Sequence, residues 1–213
     1  MASCVPKGKV VVDSFKKEYG EEAVNKFKKM TGVIEFHKTK DHQTASDLGY
    51  VAANELLNKK HIDRNEISAV VFVAHSTDYR RPATACVLQH RLGIQNKDCA
   101  AFDVNLGCSA FVYGVQIMCS MMQSSDIKMG LLIVGETMTK MVYPEDRSSN
   151  MLFGDAGAAI LFEKTEEHSN INTLVCSDGS GWKAIVAPAG GFRNMHEQDR
   201  SSKSNLKLCI KLC

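Results

Sequence analysis

Residues Cys99–Gln123 read CAAFDVNLGCSAFVYGVQIMCSMMQ, and the fold turns on where this stretch changes character. Cys99–Val104 is a short apolar run of the kind a sheet buries, whereas Ser109–Gln123 is apolar nearly all round, which predicts a central helix enclosed by protein. Asn105–Cys108 must therefore turn from strand to helix. That places Cys108 at the carboxyl end of the sheet, where open α/β folds hold their ligands.

Neighbouring segments extend the pattern. Ile67–His75, ISAVVFVAH, is continuously apolar and β-branched, the signature of a strand covered on both faces, and Met129–Gly135, MGLLIVG, is a third core strand. Between the first two, RPATACVLQHRLG predicts a helix that starts with Pro82 in its first turn, carries Ala85, Leu88 and Leu92, and stops at Gly93. GAAILFEKT and INTLVCSD read as two further strands, an antiparallel pair joined through Glu166–Asn170. Upstream, HQTASDLGYVAANELLNKK predicts an outer helix: Thr44 and Asp47 resemble a capping box, Leu48, Val51, Ala52 and Leu56 form a stripe, and Lys59 and Lys60 suit its carboxyl end. Before it lie two short helical pieces, with Asp13 or Ser14 as N-cap, Val24 and Phe27 on one face and Gly32 closing the second. The alternation predicts α/β architecture, a right-handed parallel sheet with helices on both faces.

Composition excludes several functions. Of 213 residues, 26 are basic and 24 acidic, so a formal charge of +2 offers no broad field for gripping nucleic acid or a membrane. The partners expected are small molecules or proteins. No apolar run spans a bilayer and MASCVPKGKV lacks a secretory apolar region, so the sequence reads as cytoplasmic. Eight cysteines without a CxxC pair or a His/Cys cluster predict reduced, mostly buried thiols and no metal site. Cys86 and Cys119 lie in apolar helical runs, Cys99 and Cys176 adjoin or occupy strands, and Cys4, Cys209 and Cys213 lie near the ends. No glycine-rich dinucleotide fingerprint or tightly bound cofactor is indicated.

Cys108 differs from the others in its corner position. The following helix aims its free N–H groups and positive dipole end at the sulfur, which favours thiolate over thiol. Gly107 suits a strained elbow, and Ser109 and Ala110 are small enough to let a carbonyl approach. The motif is not GxSxG, so a serine hydrolase is disfavoured. By itself, the position also fits a small buried thiol.

Four segments taken together, FDVNLGCSAFVYGVQ, IVGETMTK, DRSSNMLFGDAGAAILFE and RRPATACVLQHRLGI, resemble the β-ketoacyl-acyl carrier protein synthase III family, in order, within Val5–Gly181. The resemblance implies the N-terminal half of a thiolase-like fold, with a mixed sheet, helices on both faces and a buried central helix. It implies a domain over residues 1–181 with a clipped first strand, and a linker or the start of a missing second half over 182–213. By that resemblance Cys108 takes an acyl group from a coenzyme A thioester, and malonyl-acyl carrier protein then loses carbon dioxide and attacks it, giving a 3-ketoacyl thioester in fatty-acid or polyketide-like biosynthesis.

The resemblance also implies three substrate-binding residues. Arg147 matches an arginine by the coenzyme A entrance, and equally reads as a surface arginine. Phe153 matches an aromatic of the substrate passage, and equally reads as core. Arg81 takes a place from which the family sends an apolar residue across a homodimer interface into the partner's acyl pocket; here it implies a polar or shorter acyl chain, or a side chain turned to solvent. Gly154, Asp155 and Gly157 read as a scaffold turn. Lys26 and Met30 stand where many members sandwich adenine between tryptophan and arginine, so an acyl group on a carrier protein is an alternative donor to coenzyme A.

The family's second-half histidine and asparagine have no match, and His196 reads as a surface histidine. The chain is thus expected to be a fragment, or one part of a split enzyme working with a C-terminal-half subunit, whose bare central helix makes it associate. A noncatalytic interaction subunit is the alternative, and a thiolase or hydroxymethylglutaryl-CoA synthase relative the weaker one.

Overall fold

A computed structural model describes residues 1–142, 146, 147, 149–166, 173–187, 192, 193, 207 and 208. In chain order the strands are β1 Ala2–Cys4, β2 Gly8–Val11, β3 Glu35–Lys38, β4 Ala69–Val73, β5 Ala100–Val104, β6 Met129–Thr137, β7 Asp155–Glu163, β8 Ile185–Val186 and β9 Lys207–Leu208. The helices are α1 Lys16–Tyr19, α2 Glu21–Thr31, α3 Ala45–Lys59, α4 Thr84–Arg91 and α5 Ala110–Ser124. Two compact units result: Met1–Lys7, Thr39–Thr137 and Asp155–Val175 form the first, and Gly8–Lys38, Met138–Gly154 and Cys176–Cys213 the second.

The first unit is built on a mixed sheet of order β1-β7-β6-β4-β5. β4 lies between β5 and β6, parallel to both, with Val71 opposite Phe102 and Leu132. All five residues of β4 are buried, as its unbroken apolar run predicts for a strand covered on both faces. Alternation then divides the side chains. Val70, Phe72, Leu131 and Ile133 pack with α3 and α4, while Ala69, Val71, Val73 and Leu132 pack with α5, so helices cover both faces.

β7 runs antiparallel to β6, from Met129 opposite Glu163 to Thr137 opposite Asp155, and β1 pairs antiparallel with β7 on its other side. Residues 173–178 carry no regular structure and 171–172 lie outside the described residues, so the antiparallel pair expected from GAAILFEKT and INTLVCSD is corrected: β7 takes β6 and β1 as neighbours. Asp155 and Gly157 lie within β7, not in a turn. Asp155 is buried and accepts the Thr39 N–H at 2.8 Å and the Thr39 hydroxyl at 2.7 Å. A Cβ on Gly157 would lie 2.6 Å from the Gly49 nitrogen, so the glycine lets α3 settle on the sheet.

α3 begins with the predicted capping box, Thr44 and Asp47 each satisfying the other's backbone N–H. Leu48, Ala52 and Leu56 are buried, but Val51 is 51% exposed because the burial arc runs instead through Ala45, Gly49, Ala53 and Leu57. α4 starts at Thr84 with Ala83 as N-cap, so Pro82 precedes the helix and is not in its first turn. Gly93 has the expected left-handed φ of 72°. α5 forms as predicted, but its burial is one-sided: Ala110, Gly114, Met118 and Met122 are buried, and Phe111 and Val112 are 48% and 47% exposed.

In the second unit β2 and β3 pair antiparallel, with α1 and α2 between them in the chain, beside the core of Val12, Val24, Phe36 and Met151, and β8 pairs with β9. Neither Asp13 nor Ser14 caps a helix. Both lie in a 3₁₀ turn over Val12–Phe15, where the Ser14 hydroxyl donates to the Val11 carbonyl at 2.7 Å and Asp13 pairs with Lys28 at 2.8 Å. Gly32 closes α2 at φ 74°, as predicted. Among the described residues no helix is long and apolar enough to cross a membrane.

Candidate active site

β5 is parallel to β4, so the turn after it emerges at the same end of the sheet as the residues after β4 and the last residues of β6. Cys108 lies in that turn, with Ser109 as N-cap and Ala110 the first residue of α5. The Ala110 N–H donates to the Gly107 carbonyl at 2.8 Å, closing the turn. The thiol is exposed and lines a cavity of about 310 Å³ together with Leu106, Gly107, Phe111, Glu136 and Gly157. α5 presents the positive end of its dipole to this turn. An accessible sulfur beside an apolar hollow suits attack on an ester or thioester whose acyl chain lies in the hollow.

Gly107 serves this corner differently from the sequence expectation. Its φ is not in the left-handed range taken by Gly20, Gly32 and Gly93, and a Cβ there would lie 2.6 Å from Nε2 of His75. The glycine makes room for the close approach of an imidazole and does not relieve backbone strain. The His75 Nδ1 is 2.7 Å from Asn105 Oδ1, and the His75 backbone N–H donates to Glu136 Oε1 at 2.5 Å. Ser76 gives Glu136 Oε2 two more hydrogen bonds, from its N–H at 3.2 Å and its hydroxyl at 2.6 Å.

Sequence reasoning gave no role at the site to His75, Asn105, Ser76 or Glu136. The signal was available in their position, since each is a polar residue at the carboxyl end of an apolar parallel strand. Asp103 was passed over similarly. Within β5 its two oxygens accept the N–H groups of Thr84 and Ala85 at 2.6 and 2.7 Å, fixing the start of α4.

The other expected site residues are distributed between the units. Arg81 is exposed in the loop before α4 in the first unit, and the Arg81–Pro82 peptide is cis. Arg147 is exposed in the second unit. Phe153, half-buried there, lines a separate cavity of about 190 Å³ with Val10, Phe15, Phe36 and Asn150. Lys26 and Met30 are exposed on α2. His196, Cys209 and Cys213 lie outside the described residues.

The cysteines are less buried than expected: Cys86, Cys108 and Cys176 are exposed, and Cys4, Cys99 and Cys119 half-buried. Cys4 lies within β1 and is not frayed, while Cys176 lies outside any strand. Burial pushes the Cys99 thiol up to about 11 and also raises those of Cys4 and Cys119.

Comparison with known proteins agrees with this architecture. A sequence model of the 3-oxoacyl-[acyl-carrier-protein (ACP)] synthase III family matches residues 102–179, which include Cys108, Arg147 and Phe153. The chain is 37% identical over 160 residues to a β-ketoacyl-[acyl-carrier-protein] synthase III of Xanthomonas campestris pv. campestris, covering 75% of this chain and 49% of that protein. A putative 3-oxoacyl-[acyl-carrier-protein] synthase 3 of Campylobacter jejuni is 33% identical over 192 residues, covering 89% of this chain and 54% of the relative. The crystal structure of 3-oxoacyl-(acyl-carrier protein) synthase from Burkholderia xenovorans LB400 superposes with a TM-score of 0.83 at 36% identity, over 89% of this chain and 54% of that one. The chain spans about half the length of the curated relatives it matches. Sheet order, the cysteine corner and these matches agree that the chain resembles the corresponding half of 3-oxoacyl-[acyl-carrier-protein] synthase III proteins and has their thiolase-like fold.

Proposed function

We propose that Cys108 is the nucleophile of an acyltransferase of the 3-oxoacyl-[acyl-carrier-protein] synthase III type. The observation that carries this reading is an exposed thiol at the strand-to-helix turn, opening on an apolar hollow of about 310 Å³. The sulfur attacks the carbonyl of a thioester, on coenzyme A or a carrier protein, and the donor's thiol leaves with a proton. One thioester replaces another at little net cost. A malonyl group on acyl carrier protein then loses carbon dioxide, and its carbanion displaces Cys108 to give a 3-oxoacyl thioester. The chemistry takes no tightly bound cofactor and belongs to fatty-acid or related biosynthesis in the cytoplasm.

Arg147 is proposed to meet the phosphates of coenzyme A, as an exposed guanidinium suits. Phe153 is proposed to line the substrate passage, and Arg81 to reach the acyl pocket of a homodimer partner. Residues 1–181 are proposed to form the thiolase-like half and 182–213 a linker or the start of the second half. Condensation draws its histidine and asparagine from that second half, in the same polypeptide or another.

The test is incubation with acetyl-CoA and a panel of acyl carriers, then mass spectrometry of the peptide holding Cys108, with Cys108→Ala as control. Acylation of Cys108 and its loss in the variant are expected. An unmodified Cys108 with every donor would overturn the reading. The half-exposed Phe111 and Val112 favour a second one, a noncatalytic subunit that holds a partner through α5, and that outcome would pair absent acylation with a sedimenting complex.

A further inference from the structure

Three parallel strands each send one polar residue to the corner that holds Cys108: His75 after β4, Asn105 after β5 and Glu136 near the end of β6. Glu136 is fully engaged by the chain ends beside it. It accepts the N–H groups of His75 and Ser76 and the Ser76 hydroxyl, whose oxygen in turn accepts the Thr137 N–H at 3.0 Å. This carboxylate therefore fixes where β4 ends and where the His75 side chain begins its course. The Nδ1 atom of the ring then meets Asn105 Oδ1 at 2.7 Å. With the amide oxygen as acceptor, Nδ1 supplies the hydrogen of this bond.

Nε2 is the atom that reaches Gly107, one residue before the thiol, and lies 2.6 Å from where a Cβ there would stand, so any larger residue must displace the ring. Asn105 and Gly107 are thus both held by one ring. Of the residues in this turn, Asn105, Cys108 and Ser109 are exposed, as is His75, so contacts made at the surface of the corner have a part in setting their direction. We propose that His75 is a positioning residue for Cys108: its ring, locked by Asn105 and seated on Gly107, braces the turn so that the sulfur faces the cavity. The proposal rests on Cys108 as nucleophile for its significance, and it adds a role that neither the cysteine nor the dipole of α5 supplies.

The experiment measures the rate at which iodoacetamide alkylates Cys108 in the full chain, by mass spectrometry of each cysteine peptide. Exposed Cys86 and Cys176 serve as internal references, and Cys99, whose thiol burial pushes up to about 11, reports unfolding. His75→Ala and Gly107→Ala are each expected to slow Cys108 about tenfold relative to Cys86, since small displacements of a reacting group cost at least that much. His75→Gln, which keeps a donor toward Asn105, is expected to stay within about threefold of the native rate. Because Gly107→Ala acts by displacing the ring, adding it to His75→Ala should cause little further loss, a coupling that independent sites do not show.

Native-like rates in His75→Ala, or losses that add in the double variant, would overturn the proposal. Should a variant label at Cys99, His75→Gln and Asn105→Ala carry the test, the former retaining and the latter losing the Cys108 rate. Acyl transfer from acetyl-CoA separates this idea from the reading it rests on. A Cys108 that responds to His75 in alkylation but takes no acyl group refutes the nucleophile, and one that is acylated equally in every variant refutes the brace.

Discussion

α3 and α5 are both fifteen residues long and pack on opposite faces of one sheet, yet eight residues of α3 are buried against four of α5. α3 brings its own wet side. Asn54, Glu55, Asn58 and Lys59 complete it, and the Glu55–Lys59 pair at 2.9 Å lies along the exposed face. α5 turns Ser120, Gln123 and Ser124 to water, yet at its amino end Phe111 and Val112 stand about half exposed next to the thiol. The face that is tightly sealed carries the stability of the sheet, and the face left open is where the proposed chemistry lies.

The sharpest way to break that contrast is to place a methyl group under each helix. Gly157→Ala drives a Cβ into the backbone of α3, 2.6 Å from the Gly49 nitrogen and 2.7 Å from the Leu48 carbonyl carbon, where nothing short of a helix shift gives relief. A loss of about 3 kcal/mol is expected in urea unfolding. Gly114→Ala on α5 meets only the tips of Leu132 and Val73, at 2.9 and 3.2 Å. Side-chain adjustment and the roughly 1 kcal/mol helix preference of alanine should leave the net change below about 1 kcal/mol. Equal losses would mean that both faces are sealed alike.

Next in size comes the amino end of α3. Asp47 accepts the Thr44 N–H at 2.9 Å and pairs with Arg91 at 2.9 Å, so Asp47→Ala removes a cap and an exposed ion pair together. About 1 kcal/mol should go, nearly all of it the cap. A salt titration separates the two, because the ion-pair share fades at high ionic strength while the cap remains.

A smaller effect is expected on the outer face of α5. Phe111→Ser with Val112→Ser should change stability by less than about 0.5 kcal/mol, since both side chains already contact water over about half their area. The same pair should reduce association seen by sedimentation. A loss of several kcal/mol would show this face to be covered.

These contrasts also explain what could be read from the sequence. β4 and α3 were legible because their signals are local: an unbroken β-branched run in one, a capping box with an apolar stripe in the other. Val51 was misplaced because two overlapping stripes share α3, and the one through Gly49 and Ala53 pulls the buried arc away from it. β7 was found but its partners were not, since pairing with β1 and β6 is nonlocal and a nearby apolar run, INTLVCSD, offered a simpler hairpin. The place of Cys108 between β5 and α5 was legible from the change of period at one corner. The group around it was not, because His75 lies 30 residues from Asn105 and 61 from Glu136, and only the order β6-β4-β5 brings them together.

The smallest expected effect separates the two kinds of thiol. Cys99, next to β5 and packed against the α3 side, has its thiol pushed up to about 11 by burial, while Cys108 on the α5 side is exposed. In the unfolded chain Cys99 ionises near 9, so between about 9 and 11 the unfolded state loses a proton that the folded state keeps. Its contribution to stability is therefore complete below pH 9 and declines as pH rises toward 11. Cys99→Ala should lower stability by a constant amount near neutral pH, yet flatten the decline over that alkaline range. Urea midpoints measured at pH 7 and pH 10 for both proteins give the comparison. Parallel declines would place Cys99 in water, and with it the edge of the side that α3 seals.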